Sequence, residues 1–354
     1  MINLLSLSND LFYEIFDYLD VYDIYYSFGD LNKRLDSIIQ NKSHLHAHIT
    51  SSNFDCYLNY ILPIVQNRLI SLKFEIPFDK IKLFTSIYPL NQFNRLYSLS
   101  LKIISTSASD DNLLLLVIAI LKQLSFLKYL LSLTFDFSTS FYKDRFSILA
   151  LILSYLPKLK YLSCDINSCE YFERLILNEI EEIKIFEYYY LETLKINLID
   201  INHLLKFINC FPKLKHLSLH ICSVFSQHGT ILSLPHVKIN CLLSEIKYLN
   251  LNAFHISFHH IQQLLKLCPN LIVFTFSSKN WIFIDGEDWM KLLSIFKLIK
   301  FRLYINTFFR PTVKIDIYRI QKTFQTQFWL EKNWHILCDY DHINGQHIKI
   351  YSIK

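Results

Sequence analysis

The sequence predicts an α/β chain: a solenoid of parallel β-strands on the inside and helices on the outside, preceded by a small three-helix segment. Three observations predict it. An apolar triplet with the spacing of L-x-x-L-x-L returns nine times between residues 69 and 303. Most triplets are followed by a stretch whose apolar residues recur at helical spacing. Three of those stretches end in the same phrase, Leu156-Pro157-Lys158-Leu159, Phe211-Pro212-Lys213-Leu214 and Cys268-Pro269-Asn270-Leu271, each running into the next triplet.

The triplets are Leu69/Leu72/Phe74, Leu96/Leu99/Leu101, Leu130/Leu133/Phe135, Leu159/Leu162/Cys164, Leu191/Leu194/Ile196, Leu214/Leu217/Leu219, Ile246/Leu249/Leu251, Leu271/Phe274/Phe276 and Leu298/Phe301/Leu303, with first members 23 to 34 residues apart. That step holds one strand and one returning helix, a unit too small to bury its apolar face alone, so the units must stack. Helices are expected over Asn112–Ser125, Phe146–Tyr155, Tyr171–Ile183, Ile201–Cys210, His259–Leu267 and Asp288–Ile299. Proline cannot continue a helix and pushes its predecessor toward extended backbone, so it punctuates helix into strand. Polar residues alternate with the leucines, as in Ser98, Ser100, Lys102 and His216, Ser218, His220. Parallel stacking would gather them on one concave sheet, with the helices on the convex side.

Four regions follow: a helical domain over 1–45, a linker and first array helix over 46–68, an irregular array of about nine repeats over 69–310, and a C-terminal cap over 311–354. In the cap, Asn344-Gly345 between two alternating segments predicts a β-hairpin.

Composition excludes several classes. The four glycines, Gly29, Gly229, Gly286 and Gly345, are too scattered for a phosphate-cradling loop. The longest apolar run, Leu113–Leu121, is nine residues, well short of the roughly 20 that span a bilayer. No basic segment opens the chain, so no secretory signal is expected, and the eight cysteines, lacking any C-x-x-C pair, are expected to be reduced. Those readings point to cytoplasm or nucleus and to no membrane. A net charge of +5, without a basic run, argues against a nucleic-acid partner.

No catalytic or metal constellation emerges. His255 and His259 lie four residues apart beside His260, but the glutamate that metalloprotease chemistry needs does not follow His255. His44, His46 and His48 alternate without cysteine or carboxylate neighbours and read as linker polarity. Cys164 fills an apolar triplet slot, and Cys210 and Cys268 sit at helix ends with no base nearby. Glu181 and Glu182 are adjacent, so on a helix they point apart. Tyr188-Tyr189-Tyr190 reads equally as contact surface or loop packing. No cofactor, metal or catalytic residue is expected, and the chain reads as a binding protein rather than an enzyme.

The array resembles the leucine-rich-repeat family in a degenerate form. The family's Asn or Cys three residues past the triplet is matched by Asn167, Cys222 and Asn306 and not at the other six positions, which implies an uneven arc.

The segment before it carries Leu7, Leu11, Phe12, Ile15, Phe16 and Leu19 on one helical face, then Asp20-Val21-Tyr22-Asp23-Ile24, with Asp20 placed as an N-cap, and a third helix around Lys33-Arg34-Leu35. Phe12, Phe16 and Leu19 are expected to leave an open apolar patch. The elements Leu7-Ser8-Asn9-Asp10-Leu11, Ile15-Phe16-Asp17-Tyr18-Leu19 and Asp20-Val21-Tyr22-Asp23-Ile24 resemble an F-box, departing from it at Ser8 (usually proline), Asp10 (usually glutamate) and Leu35 (often tryptophan). An F-box followed by leucine-rich repeats implies a non-catalytic substrate-recognition subunit of an SCF-type E3 ubiquitin ligase. The resemblance implies docking of a Skp-type adaptor, and through it a cullin–RING complex, by Leu7, Leu11, Phe12, Ile15, Phe16, Leu19 and Ile24. The array would hold a target protein through outward strand residues, of which Tyr161, Lys195, His216, His220, Tyr248 and Arg302 are the expected contacts. The alternative is a leucine-rich-repeat scaffold without a ubiquitin role, its helices serving as a cap on the first repeat.

Overall fold

Leu72, Leu99, Leu133 and Leu162 occupy one register position on four consecutive parallel strands. Phe74, Leu101, Phe135 and Cys164 occupy the next inward position, so triplet lies on triplet. The computed structural model describes residues 6–104, 110–137, 145–166, 190–198, 211–221, 243–253, 256–308, 316–341 and 347–353. The chain is α/β and divides into two compact units, Met1–Phe186 and Glu187–Lys354.

In the first unit, β1 (Leu45–Thr50), β2 (Leu69–Ile76), β3 (Ser98–Ile103), β4 (Ser132–Phe137) and β5 (Tyr161–Ile166) pair in parallel in chain order. In the second, β6 (Thr193–Leu198), β7 (His216–Ile221), β8 (Tyr248–Ala253), β9 (Val273–Ser278) and β10 (Lys300–Phe308) do the same. The outer edge of β10 then takes β12 (His347–Ser352) antiparallel, and β12 takes β11 (Ile336–Asp341) antiparallel. The Asn344-Gly345 turn between those two strands lies outside the described residues, as do the helices expected over 171–183 and 201–210.

The strands alternate buried and outward residues because period-two geometry sends successive side chains to opposite faces. The inward set meets the helices. Phe74 of β2 lies 4.7 Å from Phe84 of the helix Phe78–Ile87, ring edge to ring face. In the second unit Trp289, from the helix Gly286–Leu293, sits within 6.4 Å of the rings of Phe258, Phe274, Phe276, Phe283 and Phe301. Its indole N–H donates to the Phe283 carbonyl at 2.8 Å, so a large ring is buried with its one polar atom satisfied.

The proline phrase is a β-turn. Leu159 N–H donates to Leu156 O at 3.3 Å, Leu214 to Phe211 at 3.2 Å and Leu271 to Cys268 at 3.2 Å, with proline at the position whose φ it pre-sets. The same turn forms without proline at Phe93–Leu96 and Leu243–Ile246. Beyond it, the residue ahead of a strand donates to its counterpart ahead of the preceding strand: Lys215 N–H to Glu192 O, Lys247 to Lys215, and Ile272 to Lys247, at 2.9 to 3.0 Å.

Ahead of the strands stand three helices, α1 (Asn9–Asp17), α2 (Val21–Phe28) and α3 (Lys33–Asn41). Residues 46–68, read from sequence as linker and first array helix, correct that reading in part. Residues 45–50 are β1, with Leu45, Ala47 and Ile49 buried, and only the continuation is helical: Phe54–Cys56, a π turn at Tyr57–Ile61, and Leu62–Val65. β1 lacks the triplet spacing that marks the other parallel strands in the sequence. Its signal was the simple alternation that also places His46 and His48 on one face. Among the described residues, no helix is long and apolar enough to cross a membrane.

Candidate binding surfaces

The N-terminal helices are fixed by their caps. Ser8, where the F-box pattern has proline, caps α1 by accepting from Leu11 N–H at 3.4 Å. Asp20 caps α2 by accepting from Tyr22 N–H at 2.7 Å, and the same carboxylate accepts from the His48 N–H of β1 and the Tyr57 hydroxyl. Burial raises the Asp20 pKa above the usual carboxylate value, and its three donors offset only part of that. Burial, then the Asp20 charge, raises the Tyr57 phenol, so it stays a donor. Lys42 pairs with Asp17 and donates to Tyr13 O at 3.0 Å. Arg68, just before β2, donates to Ile39 O, Gln40 O and the Tyr25 hydroxyl at 2.7 to 3.0 Å. The helices are thus tied to the first two strands by side chains reading their backbone.

This packing corrects the open patch expected on α1. Phe12 and Phe16 are fully buried against each other and Phe28, with ring centroids 5.1 to 6.3 Å apart, and Ile24 is fully buried too. Of the seven expected adaptor contacts, those three are consumed by the domain's own core. Leu7, Ile15 and Leu19 are half-buried, and Leu11 is 45% exposed. The missing cover was Phe28, a residue of α2 that the periodicity of α1 could not supply. Sequence reasoning also passed over Tyr18, Tyr26 and Leu31, which stand well into solvent. Tyr26 stacks on Tyr22 at 5.7 Å. Tyr26 lies on the outer side of α2, whereas Tyr18 follows the end of α1 and Leu31 stands between α2 and α3, where helical periodicity gives no signal.

The second surface is the outward side of β6–β10. Register sets it in three rows. Thr193, His216, Tyr248, Val273 and Lys300 form the first, and Lys195, Ser218, Asn250, Thr275 and Arg302 the second. Asn197, His220, Asn252, Ser277 and Tyr304 form the third. Five of the six expected target contacts therefore fall on one face of one unit. His216 and Tyr248 stack ring on ring at 4.3 Å and 7°. Lys195, His216, Tyr248 and Arg302 are exposed and His220 is half-buried. The sixth, Tyr161, stands on β5 of the first unit, in register with Ser132. Tyr190, the described member of the Tyr188–Tyr190 cluster, is exposed with Lys213 Nζ 5.8 Å from its ring centre.

The outward side of β2–β4 is different. Glu75 lies 3.9 Å from Lys73 Nζ and 3.4 Å from His48 Nε2, and is hydrogen-bonded to Lys102. That last bond leads the causes that hold the Glu75 carboxyl below its usual pKa.

The histidines and cysteines weighed for chemistry have other occupations. His260 Nδ1 closes a capping box with Ser257, and His259 Nε2 meets Gln263 at 2.8 Å, while His255 lies outside the described residues. Burial pushes the Cys268 thiol up to about 12, and burial and then Asp339 push Cys338 up to about 11, so neither is a ready thiolate. Cys164 is buried in its triplet slot. The surfaces above offer hydrogen bonds, charge and aromatic area: equipment for holding a partner.

No family model matches the chain, and no curated protein does. Among solved structures, a crystal structure of a protein from Bacteroides fragilis aligns at a TM-score of 0.39 and 12% identity, covering 66% of this chain and 74% of that one.

Proposed function

We propose that this chain is a non-catalytic substrate-recognition subunit of an SCF-type E3 ubiquitin ligase, working in cytoplasm or nucleus. In this reading the in-register strands are the inner lining of a degenerate leucine-rich-repeat solenoid. The three leading helices are an F-box that docks a Skp-type adaptor and, through it, a cullin–RING complex. The observation that carries the reading is the pairing of two features: capped helices α1–α3 at the F-box positions, and triplet-on-triplet parallel strands behind them. The chain performs no chemistry itself; it holds a target and raises its effective concentration at the transfer machinery.

Burial narrows the adaptor-docking set. Leu7, Leu11, Ile15 and Leu19 have surface to offer, whereas Phe12, Phe16 and Ile24 hold the helices in shape. Co-expression with a Skp-type adaptor should give a complex that survives gel filtration. Leu11→Asp should weaken it about thirtyfold or more, as loss of an interface hot spot does, without lowering the chain's melting temperature. A monodisperse chain that ignores the adaptor would overturn the ligase reading. One observation favours the second reading, a repeat scaffold without a ubiquitin role. Asp20 binds α2 to the His48 amide of β1, and Arg68, just before β2, binds the end of α3, as a cap on the first repeat would be bound.

A further inference from the structure

The outward residues of β6–β10 include no aspartate or glutamate, although the chain as a whole carries 31 of them. Those of β12, next in the sheet, are His347, Lys349 and Tyr351, again without a carboxylate. Among the described side chains of this face, a carboxylate returns at Asp339 on β11, and it already accepts from the Tyr351 hydroxyl at 2.8 Å. Glu192, just ahead of β6, is bound by Lys215 Nζ at 2.9 Å.

Within that strip the middle row runs Lys195, Ser218, Asn250, Thr275, Arg302: a cation at each end and neutral hydrogen-bonding side chains between. Lys300 stands two residues from Arg302 on the same side of β10. Four strand-to-strand steps of about 4.8 Å put Lys195 and Arg302 roughly 19 Å apart. That is the reach of about six extended residues. A face that leaves its cations without carboxylates and keeps uncharged donors between them is complementary to an extended chain bearing negative charge.

We infer that the outward face of β6–β10 binds an acidic, aspartate- or glutamate-rich extended segment of a partner protein. The inference rests on reading this face as a protein-binding surface. A nucleic acid fits it less well: three cations over some 19 Å are sparse against a duplex's one phosphate per roughly 3.4 Å of each strand, and the His216–Tyr248 stack already covers one ring face of each.

The test is selection from an unbiased display library of peptides about twelve residues long against the full chain. The enriched pool should gain about two acidic residues per peptide over the starting pool. A representative enriched peptide should lose about tenfold in affinity on Lys195→Glu with Arg302→Glu, both outward side chains whose exchange leaves the melting temperature in place. Its Glu→Gln counterpart should bind the wild type equally weakly. Enrichment without an acidic bias, or an acidic bias that survives the double variant, would overturn this inference and leave the binding-surface reading standing. A pool that yields no binder at all would overturn both. Single-stranded RNA captured more tightly than the enriched acidic peptides would overturn it in favour of a nucleic acid.

Discussion

The outward faces of the two units lie on parallel strands with the same inward apolar triplet and carry opposite electrostatic arrangements. On β2–β4 the charges are neutralised within the chain: Glu75 collects Lys102, Lys73 and His48. On β6–β10 cations stand among hydroxyls, amides and rings with no outward carboxylate. The backbone and the inward leucines are indifferent to this, because the triplet decides stacking and the residues between its members decide what the stack can hold. Stacking and surface charge are therefore written in alternate residues of the same strands.

The inward faces differ as well, and one substitution should break that difference open. The second unit's core is knitted by rings around Trp289, whereas β3 and β4 of the first bury chiefly leucines such as Leu99 and Leu133. All four tryptophans, Trp281, Trp289, Trp329 and Trp334, belong to the second unit, so their fluorescence reports on it alone. Trp289→Ala removes a fully buried ring and its bond to Phe283 O, and should cost about 3–5 kcal/mol in urea unfolding followed by fluorescence. Leu133→Ala should cost about 2–5 kcal/mol, read by far-ultraviolet circular dichroism. A Trp289→Ala loss below about 1 kcal/mol would mean the aromatic knot is not what holds the second unit.

A smaller effect is expected where the first unit joins helix to sheet. Asp20→Ala removes the cap of α2 and strands the Tyr57 hydroxyl and the His48 amide, costing about 2–3 kcal/mol. Asp20→Asn keeps an acceptor and should cost less. The two carboxylates of this unit also predict opposite pH slopes. Burial raises the Asp20 pKa, so the folded state holds that proton more tightly than the unfolded one, and stability falls as pH climbs through the window just above 3.8. Asp20→Asn should flatten that segment of a stability-against-pH curve. A wild-type curve rising through the window, with the Asp20→Asn curve parallel to it, would contradict the burial argument.

What was legible in the sequence follows the same inward–outward division. The inward triplets were legible because leucine at a two-residue period has one physical use, and β2 to β10 lie where they were read. β1 was not, because Leu45, Ala47 and Ile49 alternate without the triplet's three-residue gap, and three histidines beside them looked like linker. Asp20 as an N-cap was legible from its position ahead of Val21, but its hold on His48 and Tyr57 was not, since those partners are distant in sequence. For the same reason α1's stripe identified Phe12 and Phe16 as important but not as buried: Phe28 supplies the cover from another helix. The grouping of Lys195, His216, His220, Tyr248 and Arg302 on one face was legible from alternation. The exclusion of carboxylates from that face needed the register to align the strands.

The smallest predicted effect is the sharpest probe of the contrast between the two outward faces. Lys102 answers Glu75, so Lys102→Met should lose a little stability, as small as exposed ion pairs give. The sign with pH is fixed by the Glu75 shift. The Lys102 hydrogen bond holds the carboxyl below its usual 4.5, so the folded state favours the ionised form. Its contribution is present above that value and fades as pH falls below it. Raising salt to about 1 M, where the Debye length shrinks to about 3 Å, should erase most of the difference between Lys102→Met and wild type. Lys195→Met and Arg302→Met should instead leave stability within about 0.5 kcal/mol at any salt, because their register partners on β7 and β9 are Ser218 and Thr275, not carboxylates. Should Lys195→Met cost as much as Lys102→Met, with the same salt dependence, the second face is neutralised within the chain after all, and the distinction between them falls.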